Sequence, residues 1–133
     1  ASMKNSDHII LVVEDDETSC TLFREIFEQE NIKSYFIVKD GEKAIEVCKK
    51  NKNIGLVLLD IKLPGINGHE TLKRIKKIRK KLPVIAQTAC VMADAKQIYR
   101  KLGFDDFIGK PIINTDLLKI IEKYNAPVLK LSL

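Results

Sequence analysis

The chain has 133 residues, 45% of them hydrophobic and 31% charged, which fits one globular domain and excludes a disordered segment. Six glycines and four prolines are too few for a collagen-like or linker-like chain, and no apolar run approaches the roughly 18 residues of a membrane-spanning helix. The 23 basic residues outnumber the 18 acids for a net charge of +5, but the excess crowds Lys73, Arg74, Lys76, Lys77, Arg79, Lys80 and Lys81; it reads as a solvated helix face, and with no finger spacing or RNA-binding aromatic signature beside it, no nucleic-acid partner is expected.

Strand-like and helix-like patterns then alternate five times. Residues 1–7 are a polar leader without the apolar segment of a secretory signal, so the domain is expected over 8–125. His8–Val13 is a continuous apolar run that stops at charges, as a strand buried on both faces should. From Glu17 to Gln29 the period changes, with Leu22, Phe23, Ile26 and Phe27 at helical spacing. Tyr35–Val38 reads as a second strand, and Asp40 as the N-cap of a helix with Ala44, Val47 and Cys48 on one face. Leu56–Leu59 is the third strand. Pro64, Gly65 and Gly68 mark a loop before a helix carrying Leu72, Ile75 and Ile78, which Pro83 ends. Val84–Ala86 is the fourth strand. Ala95, Ile98, Tyr99 and Leu102 share a helical face closed by Gly103. Phe107–Ile108 is a short fifth strand, and Asn114 caps a last helix bearing Leu117, Ile120, Ile121 and Tyr124. An apolar tail, 126–133, could dock on the sheet edge, continue into a neighbouring domain or fray.

Five βα units in one domain predict an α/β fold: a doubly wound parallel sheet with helices on both faces and right-handed crossovers. Five strands favour the flavodoxin-like order 2-1-3-4-5 over a closed eight-stranded barrel. Cys20, Cys48 and Cys90 form no CxxC pair, which argues against zinc and thioredoxin-like chemistry, and their odd number without a signal peptide suits a reducing cytoplasm.

In an open parallel sheet, ligands bind beyond the carboxyl ends of the strands. Those ends offer Glu14, Asp15 and Asp16 after the first strand, Asp60 after the third, Thr88 and Ala89 after the fourth, and Lys110-Pro111 after the fifth. Asp16 reads as a helix N-cap. Glu14, Asp15 and Asp60 would crowd one crevice, and like charges that close need a cation. All-oxygen ligation with open positions suits Mg²⁺ (or Mn²⁺) better than a Ca²⁺ cage. A dication, the Lys110 ammonium and the Thr88 hydroxyl around one carboxylate make a site for a phosphoryl group attached to that carboxylate. His69 reads as a solvent-facing helix residue and His8 as an ordinary strand residue.

Four ordered motifs carry a resemblance: Ile10-Leu11-Val12-Val13-Glu14-Asp15-Asp16, Leu58-Leu59-Asp60-Ile61-Lys62-Leu63-Pro64-Gly65-Ile66-Asn67-Gly68, Pro83-Val84-Ile85-Ala86-Gln87-Thr88-Ala89, and Asp106-Phe107-Ile108-Gly109-Lys110-Pro111. With these, the chain resembles the receiver domain of two-component response regulators (CheY-like) from about His8 to Tyr124. Gln87-Thr88-Ala89 and Gly103-Phe104-Asp105-Asp106-Phe107 look most like receivers of hybrid sensor histidine kinases, whose parent chain could be membrane-anchored. The resemblance implies phosphorelay signalling, with Asp60 as phosphoacceptor and Mg²⁺ held by Glu14, Asp15, Asp60 and the backbone carbonyl of Lys62. It implies that Thr88 and Lys110 bind phosphoryl oxygens, that Thr88 and Phe107 form the switch, and that the Lys110-Pro111 bond is cis. It also implies a histidine kinase or histidine phosphotransfer domain as partner, and a possible homodimer through the face of helix four, strand five and helix five. No independent enzyme is expected beyond self-phosphorylation and autodephosphorylation. Glu14 stands where the family more often has Asp. Lys62 and Cys90 border the expected path of the attacking water, so the phosphoryl lifetime should depend on them.

Other classes remain: a stand-alone regulator within the same class, and a flavodoxin-like cofactor binder or small phosphatase outside it. The acidic loop after the first strand would repel a flavin phosphate. Asp60 is followed by Ile61-Lys62 rather than a second Asp, unlike haloacid-dehalogenase phosphatases. There is no P-loop, GxSxG or HExxH.

Overall fold

The structure, a computed structural model, describes residues 9–63, 65–89 and 91–132, with side chains as far as Tyr124. Five strands, β1 (Ile9–Val13), β2 (Tyr35–Val38), β3 (Ile54–Asp60), β4 (Val84–Thr88) and β5 (Asp106–Gly109), alternate with five helices, α1 (Glu17–Gln29), α2 (Gly41–Lys50), α3 (Gly68–Ile78), α4 (Ala95–Leu102) and α5 (Asn114–Ser132). The strands are parallel in the order β2-β1-β3-β4-β5. This is the flavodoxin-like arrangement read from the sequence. His8, Pro64, Cys90 and the leader lie outside the described residues.

The unbroken apolar strands follow from burial on both sides. Along β1, Ile10 and Val12 enter one layer with Phe23, Ile26 and Phe27 of α1 and Leu117, Ile120 and Ile121 of α5. Leu11 and Val13 enter the other, with Ala44, Ile45 and Cys48 of α2, Leu72 and Ile75 of α3, and Ala95 and Tyr99 of α4. Leu56 and Leu58 against Val57 and Leu59 repeat the alternation on β3. Helix starts are capped by short polar side chains: Asp16 accepts from Ser19 N at 2.9 Å, Asp40 from Lys43 N at 2.7 Å, and Asn67 from Glu70 N at 2.9 Å. Gly103 ends α4 in the left-handed region at φ +108°.

Several expected contacts differ. The third helix ends at Ile78 rather than running to Pro83, because the backbone of Arg79 leaves helical geometry (φ −134°, ψ 81°); its guanidinium donates to the Ile54 carbonyl at 2.9 Å. Its buried line is Thr71, Leu72 and Ile75, leaving Ile78 exposed. On α4 only Ala95 and Tyr99 reach the sheet; Ile98 and Leu102 flank that line and are each 42% exposed. Strands β3 and β4 run on through Asp60 and Thr88, since ladder pairing continues past the last apolar residue.

Gly68 opens α3 where the helix packs on the chain leaving β3. A Cβ there would lie 2.6 Å from Ile61 Cα and 2.8 Å from the Asp60 carbonyl oxygen, both backbone atoms that cannot swing aside. Gly68→Ala should therefore lower the unfolding free energy by about 1–3 kcal/mol, read as a lower urea midpoint at unchanged slope.

Candidate functional site

Sheet register builds the site. Val13 pairs with Leu59, so Glu14 and Asp60 leave adjacent strands at one level. Asp60 pairs with Gln87, and Thr88 with Gly109, so Thr88 and Lys110 follow on the next two strands. Glu14, Asp15 and Asp60 each place a carboxylate oxygen within 4.8 Å of the others. Glu14 and Asp60 are buried and Asp15 is exposed, which leaves the cluster open to solvent on one side.

Lys110 reaches into this cluster. Its Nζ lies 2.6 Å from Glu14 Oε1 and 3.1 Å from Asp60 Oδ2. The Lys110-Pro111 bond is cis, as expected. Asp60 Oδ1 accepts from the Lys62 backbone N–H at 3.0 Å, and Glu14 Oε2 from the Asp16 N–H at 3.1 Å. Burial raises the Glu14 pKa above the usual carboxylate range, aided by the nearby Asp60 and opposed by Lys110 and the Asp16 N–H. Burial would lower the Lys110 pKa, but its bond to Glu14 and the charges of Glu14 and Asp60 outweigh that and raise it. The ammonium therefore stays charged beside the two acids.

The donor set fits a hard divalent cation: three carboxylates, no sulfur or imidazole, and an exposed side for water ligands. Cys20 packs beneath it, its buried thiol donating to the Glu14 carbonyl at 3.3 Å. Burial raises its pKa, so it stays a protonated, structural group. Burial likewise pushes Cys48 up to about 11. Asp16 caps α1 rather than joining the carboxylates, and His69 is exposed on α3, both as expected.

Thr88 ends β4, 1% exposed, and its Oγ1 lies 2.7 Å from the Tyr99 hydroxyl. The Tyr99 ring packs on Phe107, with centroids 5.9 Å apart. Beside Phe107 and Lys110 a cavity of about 400 Å³ opens between β5 and α5, with Val91 and Ile113 on its rim. Two further residues belong to the neighbourhood. Tyr99 has helical spacing that shows only a core position; nothing local indicates that its hydroxyl meets Thr88. Gln87 is a fully buried polar residue whose Nε2 donates to the Leu58 carbonyl at 2.8 Å and the Val13 carbonyl at 3.4 Å, tying β4 to β3 and β1 just below the carboxylates. Its Oε1 meets no donor among the described residues. A polar residue inside an apolar strand was the available signal for it.

Comparison with known proteins finds relatives over most of the chain. The profile of the response regulator receiver domain matches residues 10–122. Sporulation initiation phosphotransferase F of Bacillus subtilis is 34% identical over 115 residues, spanning 86% of this chain and 91% of that protein. The receiver domain of a sensor histidine kinase from Pseudomonas aeruginosa PAO1, solved with a magnesium ion in its active site cleft, superposes with a TM-score of 0.77 at 23% identity, covering 88% of this chain and 96% of that one. A receiver domain from Saccharomyces cerevisiae, solved with a histidine phosphotransfer protein, superposes with a TM-score of 0.79 at 24% identity and 90% coverage of each chain.

If the carboxylates hold a cation only when folded, Mg²⁺ should raise the melting temperature. At a hundred times its Kd the ion should add about 2.7 kcal/mol to stability. Calorimetry should show that increment fall sharply in Asp15→Asn, whose exposed side chain bears little on the core.

Proposed function

The chain belongs to the response regulator receiver domain family, and from that premise we propose that Asp60 accepts a phosphoryl group from a phosphohistidine on a partner protein. The observation that carries this is the clustering of the Asp60 carboxylate with Glu14 and Asp15, under the Lys110 ammonium. An Asp60 oxygen attacks phosphorus; the O–P bond forms as the P–N bond breaks, and the imidazole leaves with the electron pair. Glu14, Asp15, Asp60 and the Lys62 carbonyl would hold Mg²⁺, which offsets charge on the transferring group when bound. Lys110 offsets charge from the other side, already placed by its ion pairs, so little reorganisation is needed during transfer. The product is an acyl phosphate. Water attacks its phosphorus in turn, releasing inorganic phosphate and restoring the carboxylate.

Thr88 binds a phosphoryl oxygen through its hydroxyl, and the space it vacates admits Phe107. The face formed by α4, β5 and α5 reads out the change. The apolar fringe there, Val91, Met92, Ile98, Leu102 and Ile113, supports that assignment and a homodimer through the same face. The partner is a histidine kinase or a histidine phosphotransfer domain. The motif wording after β4 and around β5 favours a hybrid sensor histidine kinase as parent. A stand-alone regulator is the second reading, since the matched domain makes up 91% of one relative, the sporulation phosphotransferase. Buried free thiols at Cys20 and Cys48 suit the cytoplasm. Among the described residues, no helix is long and apolar enough to cross a membrane.

Acetyl phosphate with Mg²⁺ should add one phosphoryl group to the chain by intact mass, mapped to Asp60, and Asp60→Asn should remove it. Labelling of another residue, or none in the parent, refutes the assignment. Lys110→Ala should slow labelling by about 10²–10³-fold, the scale of losing one preorganised electrostatic partner. Lys62, exposed two residues after Asp60, should affect the water's approach: Lys62→Ala should change the rate of phosphate release, measured after donor removal, and equal rates would exclude that role.

A further inference from the structure

Strand alternation sets where the Thr88 hydroxyl starts. Val84, Ala86 and Thr88 share a face of β4, and Val84 and Ala86 lie in the layer of α2, α3 and α4. Leu56 and Leu58 of β3 lie in the opposite layer, with α1 and α5, and Asp60 continues their face. Thr88 thus begins on the side of the sheet away from the face that Asp60 continues. There it meets the Tyr99 hydroxyl at 2.7 Å. Both residues are buried, at 1% and 8% exposure. The Tyr99 ring is wedged between Phe104, edge-on at 6.1 Å, and Phe107 at 5.9 Å.

We propose that Tyr99 is a positioning residue: a hydroxyl latch on α4 that holds Thr88 away from Asp60 until a phosphoryl group draws it off, and through which α4 registers that event. This rests on Asp60 being the phosphoacceptor. A phosphoryl oxygen can only accept, so it takes the single Thr88 proton; reaching it on the Asp60 side of the sheet swings the hydroxyl away from Tyr99, so the two partners exclude each other by position. When Thr88 leaves, the Tyr99 hydroxyl loses a buried partner. A buried hydroxyl without a partner is costly, so Tyr99 shifts to find one and α4 shifts with it. Phe107 has no hydroxyl and cannot carry a polar signal; it follows through its packing on Tyr99. Ile98 and Leu102 flank Tyr99 on the same helix, half out of solvent, so a small rotation of α4 alters the apolar surface offered to a partner.

The test is Tyr99→Phe, which removes the hydroxyl and keeps the ring. Beryllofluoride with Mg²⁺ serves as the phosphoryl mimic, titrated against backbone amide NMR signals, and amide hydrogen exchange over residues 95–102 is measured with and without it. Tyr99→Phe should lower the half-saturating concentration by roughly three- to tenfold, the scale of one hydrogen bond released, and should blunt the exchange response of α4. In a Thr88→Ala background the same change should leave half-saturation where it was, which a purely structural role for Tyr99 would not predict. An unchanged or raised half-saturation in Tyr99→Phe, or an equal shift in the Thr88→Ala background, overturns the latch alone. Failure of the parent chain to bind beryllofluoride overturns the Asp60 assignment and the latch with it.

Discussion

Lys110 stands 2.6 Å from Glu14 and 3.1 Å from Asp60, and this one ammonium makes a crowded set of acids tolerable inside a fold. Two like charges about 4 Å apart repel by about 4 kcal/mol at the effective dielectric near a protein surface, and an opposite charge at that range recovers as much. Burial adds a cost to Glu14 that its raised pKa records. Three carboxylates and one ammonium still leave a formal charge of −2 in the cleft. A divalent cation bound there would bring that sum to zero. The cleft is poised rather than satisfied.

The remainder of the architecture keeps these groups at one level. A parallel sheet delivers every strand's carboxyl end to the same edge, and the register of β1, β3, β4 and β5 sets Glu14, Asp60, Thr88 and Lys110 in a row. Two apolar layers clamp the sheet from both sides, so a one-residue slip would turn every strand side chain into the wrong layer. Gln87 adds a polar tie beneath the site. Gly68 lets α3 approach the backbone of the loop that carries Lys62. The cleft is therefore held by the most buried part of the molecule, while its exposed edge, at Asp15 and Lys62, stays open to solvent.

A short polar step toward the α4 surface runs through Thr88 and Tyr99. Beyond it the contacts are aromatic, Tyr99 on Phe104 and Phe107. Packed rings transmit displacement because the interior has little free volume. The helix at the end of this path is short and buries only two side chains, Ala95 and Tyr99. An element so lightly anchored is the one expected to yield when its polar contact is lost.

Sequence pattern alone determined the order of elements, the two-sided burial of the strands, the caps at Asp16 and Asp40, and the convergence of Glu14, Asp15, Asp60 and Lys110, with Thr88 at the neighbouring strand end. Each of these follows from periodicity along the chain plus one general property of parallel sheets, that all strands end on the same side. Tertiary structure alone decided the rest. The backbone of Arg79 leaves helical geometry, its guanidinium reaching Ile54 far along the chain, so α3 ends early and Ile78 stays in solvent. Ile98 and Leu102 share the helical spacing of Tyr99, yet only Tyr99 points at the sheet, because the angle at which α4 crosses β4 and β5 is set by packing and not by its own period. The Tyr99 partner was invisible for the same reason: a hydrogen bond between a strand end and a helix face depends on how two elements meet, and local pattern carries no record of that meeting.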